Sequence, residues 1–194
     1  IIWLASYPKS GNTWLRFFII SLLMGDKTNL NLNHLKAIID FPNVKQFKGL
    51  ISEFSNLNEV AKNWITAQEK INSDKSLKFF KTHNMFGKLN GFSFTNYENT
   101  LGAIHIVRDP RNIITSLKNH FDLNYEDALD FMLNERKFIH DDREKDYADF
   151  HFLGSWSQHY KSWLKDKSIK TIFIKYEDLE TKTYQTFESI INFI

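Results

Sequence analysis

Four short apolar runs punctuate the chain: Ile1–Ser6, Leu77–Thr82, Ala103–Val107 and Thr171–Tyr176. Each carries few charges, which is the pattern of strands buried on both faces of a parallel sheet. Helical periods fill the spaces between them. Thr13–Met24 places Leu15, Phe18, Ile19, Leu22 and Leu23 on one face, and Asn58–Ile71, Asn112–Asn119, Tyr125–Glu135, Leu153–Leu164 and Thr183–Ile194 follow. Strands alternating with helices predict an α/β domain whose crossovers are right-handed. Gly25–Phe54, rich in Asn, Lys and apolar residues, fits neither period. Phe138–Phe152 is charged and aromatic and reads as a surface excursion or lid. No internal repeat and no low-complexity linker divides the chain.

The 194 residues suffice for one sizeable domain with a real core. Apolar residues at 42% and charged residues at 25% are ordinary values and exclude a disordered chain. Lys+Arg 25 against Asp+Glu 23 leaves a net charge of +2. No basic field for nucleic acid exists, so any anion site is built locally. The chain has no cysteine, which excludes disulfides and thiolate chemistry and fits a reducing, cytoplasmic setting. No apolar run is long enough to span a bilayer, and no signal peptide is visible. The chain opens in a strand pattern without Met and stops at Ile194 within a helical one. It is therefore expected to be a single domain over residues 1–194, lacking its N-terminal start and its C-terminal segment.

Three of the apolar runs lead into residues that carry chemistry. Ile1–Ser6 runs into Tyr7-Pro8-Lys9-Ser10-Gly11-Asn12-Thr13-Trp14 and then into a helix. Ligands of open α/β sheets sit at the carboxyl ends of strands. Backbone N–H groups there, with a helix N-terminus, suit an anion. Gly11 permits close approach, Ser10 and Thr13 add hydroxyls, Lys9 adds a mobile charge, and Trp14 is placed to stack on a base. The competing reading is an ordinary strand–helix turn with Lys9 solvated and Trp14 in the core. Ala103–Val107 runs into Arg108-Asp109-Pro110, with Ser116 two helical turns on. Arg108 can grip a phosphate with two parallel N–H bonds, and Ser116 can add a hydroxyl. The alternative pairs Arg108 with Asp109. His83 follows the run ending in Lys81-Thr82, and a neutral imidazole at that edge can take a proton from a hydroxyl. His120, His140 and His159 follow no strand and read as structural or surface groups. His151 and His159 flank an aromatic run and are expected to pack. No His/Asp/Glu spacing suggests a metal site.

Taken together, these stretches resemble the cytosolic-type sulfotransferase family. Y-P-K-S-G-N-T-W is similar to that family's 5′-phosphosulfate loop, Y-P-K-S-G-T-T-W. Ile106–Ser116, I-V-R-D-P-R-N-I-I-T-S, is similar to its 3′-phosphate motif, in a form closer to bacterial than to animal members. Lys81-Thr82-His83 resembles its K-T-H, and Tyr176-Glu177-Asp178-Leu179 its Y-E-D-L. The resemblance implies a P-loop-like, three-layer α/β fold with a central, mostly parallel sheet flanked by helices. It implies 3′-phosphoadenosine 5′-phosphosulfate (PAPS) as donor, the bisphosphate PAP as product, and no metal. A sulfuryl group would pass in line to an acceptor hydroxyl or amine. His83 would take the acceptor's proton and Lys9 would stabilise charge on the bridging oxygen. Ser10, Gly11, Asn12 and Thr13 would hold the 5′-phosphate, and Arg108 and Ser116 the 3′-phosphate. Trp14 would stack on adenine with Tyr176 at its edge, and Ser116 would restrain Lys9. The acceptor is expected to be a small molecule or glycan-like, its pocket drawing on Asn84–Tyr97 and Phe138–Phe152; their aromatics, including Phe86, Phe92 and Phe94, would suit an apolar or sugar-like acceptor, but most are expected to pack in the core. A homodimer is open; nucleic-acid and membrane-spanning roles are not expected.

Two departures stand out. Asn12 replaces the family's Thr, and no Arg-Lys-Gly run, which closes the family's 3′-phosphate site, lies within the chain. The main rival is a P-loop kinase. It would want G-K-[ST] and an acidic residue ending a strand for Mg²⁺; the first is missing and only Asp109 approaches the second. The second rival is a non-catalytic nucleotide-binding module.

Overall fold

A computed structural model describes residues 1–25, 30–140 and 147–194. Its strands are β1 (Ile2–Ser6), β2 (Phe79–Thr82), β3 (Lys88–Leu89), β4 (Phe92–Ser93), β5 (Gly102–Val107), β6 (Phe138–Ile139), β7 (His151–Phe152) and β8 (Thr171–Lys175). The helices are α1 (Asn12–Met24), α2 (Leu57–Lys62), α3 (Trp64–Asn72), α4 (Pro110–Phe121), α5 (Tyr125–Leu133), α6 (Trp156–Lys165), α7 (Tyr176–Thr181) and α8 (Thr183–Phe193). The four predicted strands make one parallel sheet in the order β2-β1-β5-β8. β3–β4 and β6–β7 are small antiparallel ribbons outside it. The chain passes from β1 to β2 on one side, then returns past β1 to β5. That reversal opens a crevice at the carboxyl ends of β1 and β5, where ligands of such sheets bind.

Side chains alternate across the pleat, so each strand feeds two cores. Trp3, Ala5, Phe80 and Ala103 face one layer, against Val60, Ala61, Trp64 and Ala67 of α2 and α3 and Trp163 of α6. Ile2, Leu4, Phe79, Ile104, Ile106 and Ile174 face the other, against Leu15 and Ile19 of α1, Leu179 and Ile190. A third cluster, with Tyr7, Ile113, Leu117, Phe131 and Leu153, packs α4 and α5 beyond the strand ends. The result is a three-layer α/β fold with both sheet faces covered, as the charge-poor strand runs predict.

Several predicted boundaries shift. Asn58–Ile71 is two helices, because Asn63 ends α2 and starts α3, its side chain bonding back to Glu59 O at 2.8 Å. Thr171–Tyr176 is one residue too long as a strand. Tyr176 instead opens α7, whose first turn carries Glu177 and Asp178, charges that suit a helix N-terminus. Within Gly25–Phe54, 3₁₀ turns at Leu32–Ala37 and Val44–Phe47 are capped by the side chains of Asn31 and Asn43. Short 3₁₀ segments of this kind leave no amphipathic period to read. The same stretch returns to the sheet edge: Lys81 N–H donates to Ile39 O at 3.0 Å, and Phe41 N–H donates to Lys81 O at 2.9 Å.

Candidate active site

All four sheet strands end on one edge, and the residues just past each end converge. Lys9, Gly11 and Thr13 after β1, His83 after β2, Arg108 and Ser116 after β5, and Tyr176 after β8 line one cavity of about 1130 Å³.

The turn after β1 is shaped around its backbone. Lys9 and Gly11 both hold left-handed conformations, with φ of 66° and 102°. Gly11 caps α1 without any side-chain hydrogen bond. Among the described residues, the N–H groups of Lys9, Ser10 and Gly11 meet no acceptor. Asn12 and Thr13 begin the helix, so their N–H groups also lack an intrahelical partner. Successive unpaired N–H groups in such conformations form an anion-binding concavity. A Cβ on Gly11 would lie 2.4 Å from Cδ2 of Tyr176, so this turn presses against that ring and requires glycine. Asn12 does not turn its amide outward. Its Nδ2 donates to Leu4 O at 2.8 Å and Ser6 Oγ at 3.1 Å, tying the turn to β1. Thr13 is exposed at the cavity wall. Ser10 is buried behind it, at 1% exposure, and its Oγ has no partner.

Arg108 reaches across the same turn. Its Nη1 donates to Lys9 O at 3.1 Å, its guanidinium lies 4.1 Å from the Tyr176 ring centre, and its buried Nε has no partner. Asp109 does not pair with it. Asp109 accepts the N–H of Arg111 at 2.9 Å and forms an ion pair with that side chain at 2.5 Å, capping α4. An Asp so engaged also answers poorly to the magnesium-holding role that a P-loop kinase would need. Desolvation, then the nearby Arg108 charge, lowers the Lys9 pKa. Ser116 is half-buried on α4 and lines the cavity, with no hydrogen bond to Lys9 among the described residues. Trp14 does not line the cavity. It meets the Tyr176 ring edge-on at 6.0 Å and packs against the second core.

His83 is anchored at three points. Its Nδ1 lies 2.6 Å from Ser6 O, and a carbonyl only accepts, so Nδ1 carries the proton. Its backbone N–H donates to His151 Nδ1 at 3.3 Å, and its carbonyl accepts from His159 Nε2 at 3.0 Å. His159 is held in turn by His105, whose Nε2 lies 3.3 Å from His159 Nδ1. Burial, then the charge of Lys81, pushes the His83 pKa well below the ordinary imidazole range. The ring is therefore neutral near pH 7, with its lone pair on Nε2. Beside it, Lys81 forms an ion pair with Asp40 at 2.7 Å.

His151 and His159 do not merely pack, since both hold the backbone of His83; sequence spacing alone gave no sign of this. One signal was available for His159. It shares the buried face of α6 with Trp163, four residues on, and a buried polar group on an apolar stripe demands a partner. Phe86, Phe92 and Phe94 pack into the first core and do not line the cavity. Of Phe138–Phe152, Ile139, His140, Asp149 and His151 line it, while residues 141–146 lie outside the described residues. No group of three or more metal-ligating side chains occurs among the described residues, and no described helix is long and apolar enough to cross a membrane.

A family model described as a sulfotransferase domain matches residues 1–194. Among solved structures, the chain is similar to a mouse sulfotransferase, SULT7A1, complexed with PAP. The identity is 20%, covering 99% of this chain and 57% of that one, with a TM-score of 0.57. It is also similar to retinol dehydratase in a complex with retinol and PAP, at 16% identity, 99% and 59% coverage and a TM-score of 0.54. The chain thus spans less than two thirds of the length of these structures, and at such identities the likeness is one of fold.

Proposed function

This chain belongs to the sulfotransferase domain family, and from that premise we propose that residues 1–194 form one domain that transfers a sulfuryl group from PAPS to an acceptor. The observation that carries the reading is the convergence of Lys9, His83 and Arg108 on one cavity, from three adjacent parallel strands. The site fits the donor's chemistry. Unpaired N–H groups at Lys9–Thr13 suit a 5′-phosphate, and the unpartnered Ser10 Oγ and Arg108 Nε are buried polar atoms awaiting an acceptor. When bound, the donor supplies the sulfuryl group and a phosphate leaving group.

The chain's own residues do the rest. The turn at Ser10–Thr13 holds the 5′-phosphate through N–H groups, with Asn12 bracing the turn rather than offering its amide. Arg108 and Ser116 hold the 3′-phosphate, and Tyr176, pressed between Gly11 and Arg108, borders the nucleoside. Trp14 supports that ring edge-on and takes part in adenine recognition at second hand. Lys9, a cation on a desolvated wall, stabilises negative charge on the leaving oxygen. His83 Nε2 accepts the acceptor's proton, which its neutral state allows. A sulfuryl group carries less charge than a phosphoryl group, so lysine and N–H donors suffice without a metal. The acceptor is small or glycan-like, and the cysteine-free chain suits a cytoplasmic setting. Incubation with isotopically labelled donor and a panel of hydroxyl and amine acceptors tests this. Labelled product that disappears in His83→Ala supports the reading. Product formed equally well by that variant removes His83 from the base role.

A further inference from the structure

His83 is not the only imidazole in the cavity wall. His151 lines it too, with ring centroids 5.8 Å apart. Its proton can be placed. Nδ1 of His151 receives the backbone N–H of His83 at 3.3 Å and faces Asn84 Nδ2, also at 3.3 Å. The Asn84 amide is oriented by its other end, since Oδ1 accepts the N–H of Phe152 at 2.8 Å. Two donors thus converge on Nδ1, which carries the lone pair. Burial lowers the ring's pKa to about 3, so it is neutral and its hydrogen sits on Nε2. Nε2 makes no hydrogen bond among the described residues and is not among the buried unpartnered atoms. Of the four imidazoles in the wall, which include His120 and His140, these two lie together and are opposite in character: a lone pair from His83 and an N–H from His151.

We propose that His151 Nε2–H binds the attacking atom of the acceptor and selects a hydroxyl over an amine. The inference rests on the sulfotransfer reading. A hydroxyl oxygen has two lone pairs. It gives its proton to His83 Nε2, accepts from His151 with one lone pair, and attacks with the other. A neutral amine has one lone pair. If that pair accepts from His151 it cannot attack; if it attacks, the His151 N–H is left buried without an acceptor, an unmade bond that carries a desolvation penalty. Asn84 is a positioning residue in this arrangement, because it helps to fix which nitrogen of His151 carries the hydrogen.

The test compares phenol and aniline, which share one frame and are both uncharged at neutral pH. The ratio of their kcat/KM values is measured for the wild type, His151→Phe and His151→Gln. Loss of the His83 anchor lowers both rates in either variant, so the ratio is the informative quantity. The phenol-to-aniline ratio falls roughly tenfold or more in His151→Phe and is largely kept in His151→Gln, which retains an N–H donor. An unchanged ratio in His151→Phe overturns the proposal. A binding arm needs no turnover. In ¹⁵N-histidine-labelled protein saturated with PAP, phenol shifts the His151 Nε2 resonance. No shift with phenol overturns it. Failure to bind PAP at all would instead break the sulfotransferase reading on which the proposal stands.

Discussion

The ends of β1 and β2 lie side by side in one sheet and solve opposite problems. After β1, polar atoms are left open: N–H groups of Lys9, Ser10 and Gly11, the Ser10 hydroxyl, and Nε of Arg108 from the neighbouring β5. After β2, polar atoms are closed: His83 is held by Ser6, His151 and His159 through Nδ1, N–H and carbonyl, leaving Nε2. A site that binds an anion keeps donors unpaired for the ligand to satisfy. At His83, the proposed base, the Nδ1, backbone N–H and carbonyl are satisfied and the Nε2 lone pair is left. The difference lies in which hydrogen bonds the fold omits, more than in residue types.

Breaking either side at its working atom has the largest effect. His83→Ala and Lys9→Ala each lower kcat by about a hundredfold or more in a labelled-donor assay, while circular dichroism remains that of the wild type. Gly11→Ala comes next. Its methyl meets Tyr176 at a backbone conformation that side chains avoid. PAP affinity falls roughly tenfold or more by calorimetry, and thermal stability drops with it. A smaller and more selective effect separates the two sites. His159→Leu removes the donor to the His83 carbonyl and leaves that group and His105 without their partner. It lowers kcat by about tenfold and costs about 1–3 kcal/mol in urea unfolding, yet PAP affinity stays within twofold of the wild type, on the order of experimental scatter.

The pH response of stability is the mildest discriminator, and its sign follows from burial. Desolvation depresses His83 and His105 well below 6.5, His151 to about 3 and His159 to about 4. Below about 6.5 the unfolded chain protonates these rings and the folded chain does not. Stability is therefore full above that value and drains as pH falls toward the folded pKa values. The urea midpoint drops between pH 7 and 5.5, and His159→Gln flattens part of that slope.

Much of this contrast was legible in the sequence and part was not. The four strands show as charge-poor runs because both faces of the sheet are covered. Tyr7–Trp14, His83 and Arg108 show because chemistry at a strand's end follows the strand directly. Tyr176 lay at the same edge but opens α7, a helix with only Glu177 and Asp178 to announce it. His151 and His159 were missed as contacts of His83, being remote in sequence and joined only by the sheet and α6. The aromatics Phe86, Phe92 and Phe94 suit a pocket by composition, but most were expected in the core, and all three pack there. The 3₁₀ turns that bring Asp40 to Lys81 carry no period at all.

On the proposed reading, the open donors at β1 and β5 hold a nucleotide phosphorylated at both its 3′ and 5′ positions. Calorimetric titration of the wild type and Arg108→Ala with PAP, adenosine 5′-phosphate and ATP, each with and without Mg²⁺, tests it directly. PAP is expected to bind the wild type without Mg²⁺, roughly tenfold or more tighter than adenosine 5′-phosphate, and Arg108→Ala to erase most of that difference. Binding of ATP that requires Mg²⁺ and exceeds that of PAP would contradict it, as would equal losses for both adenosine ligands in Arg108→Ala.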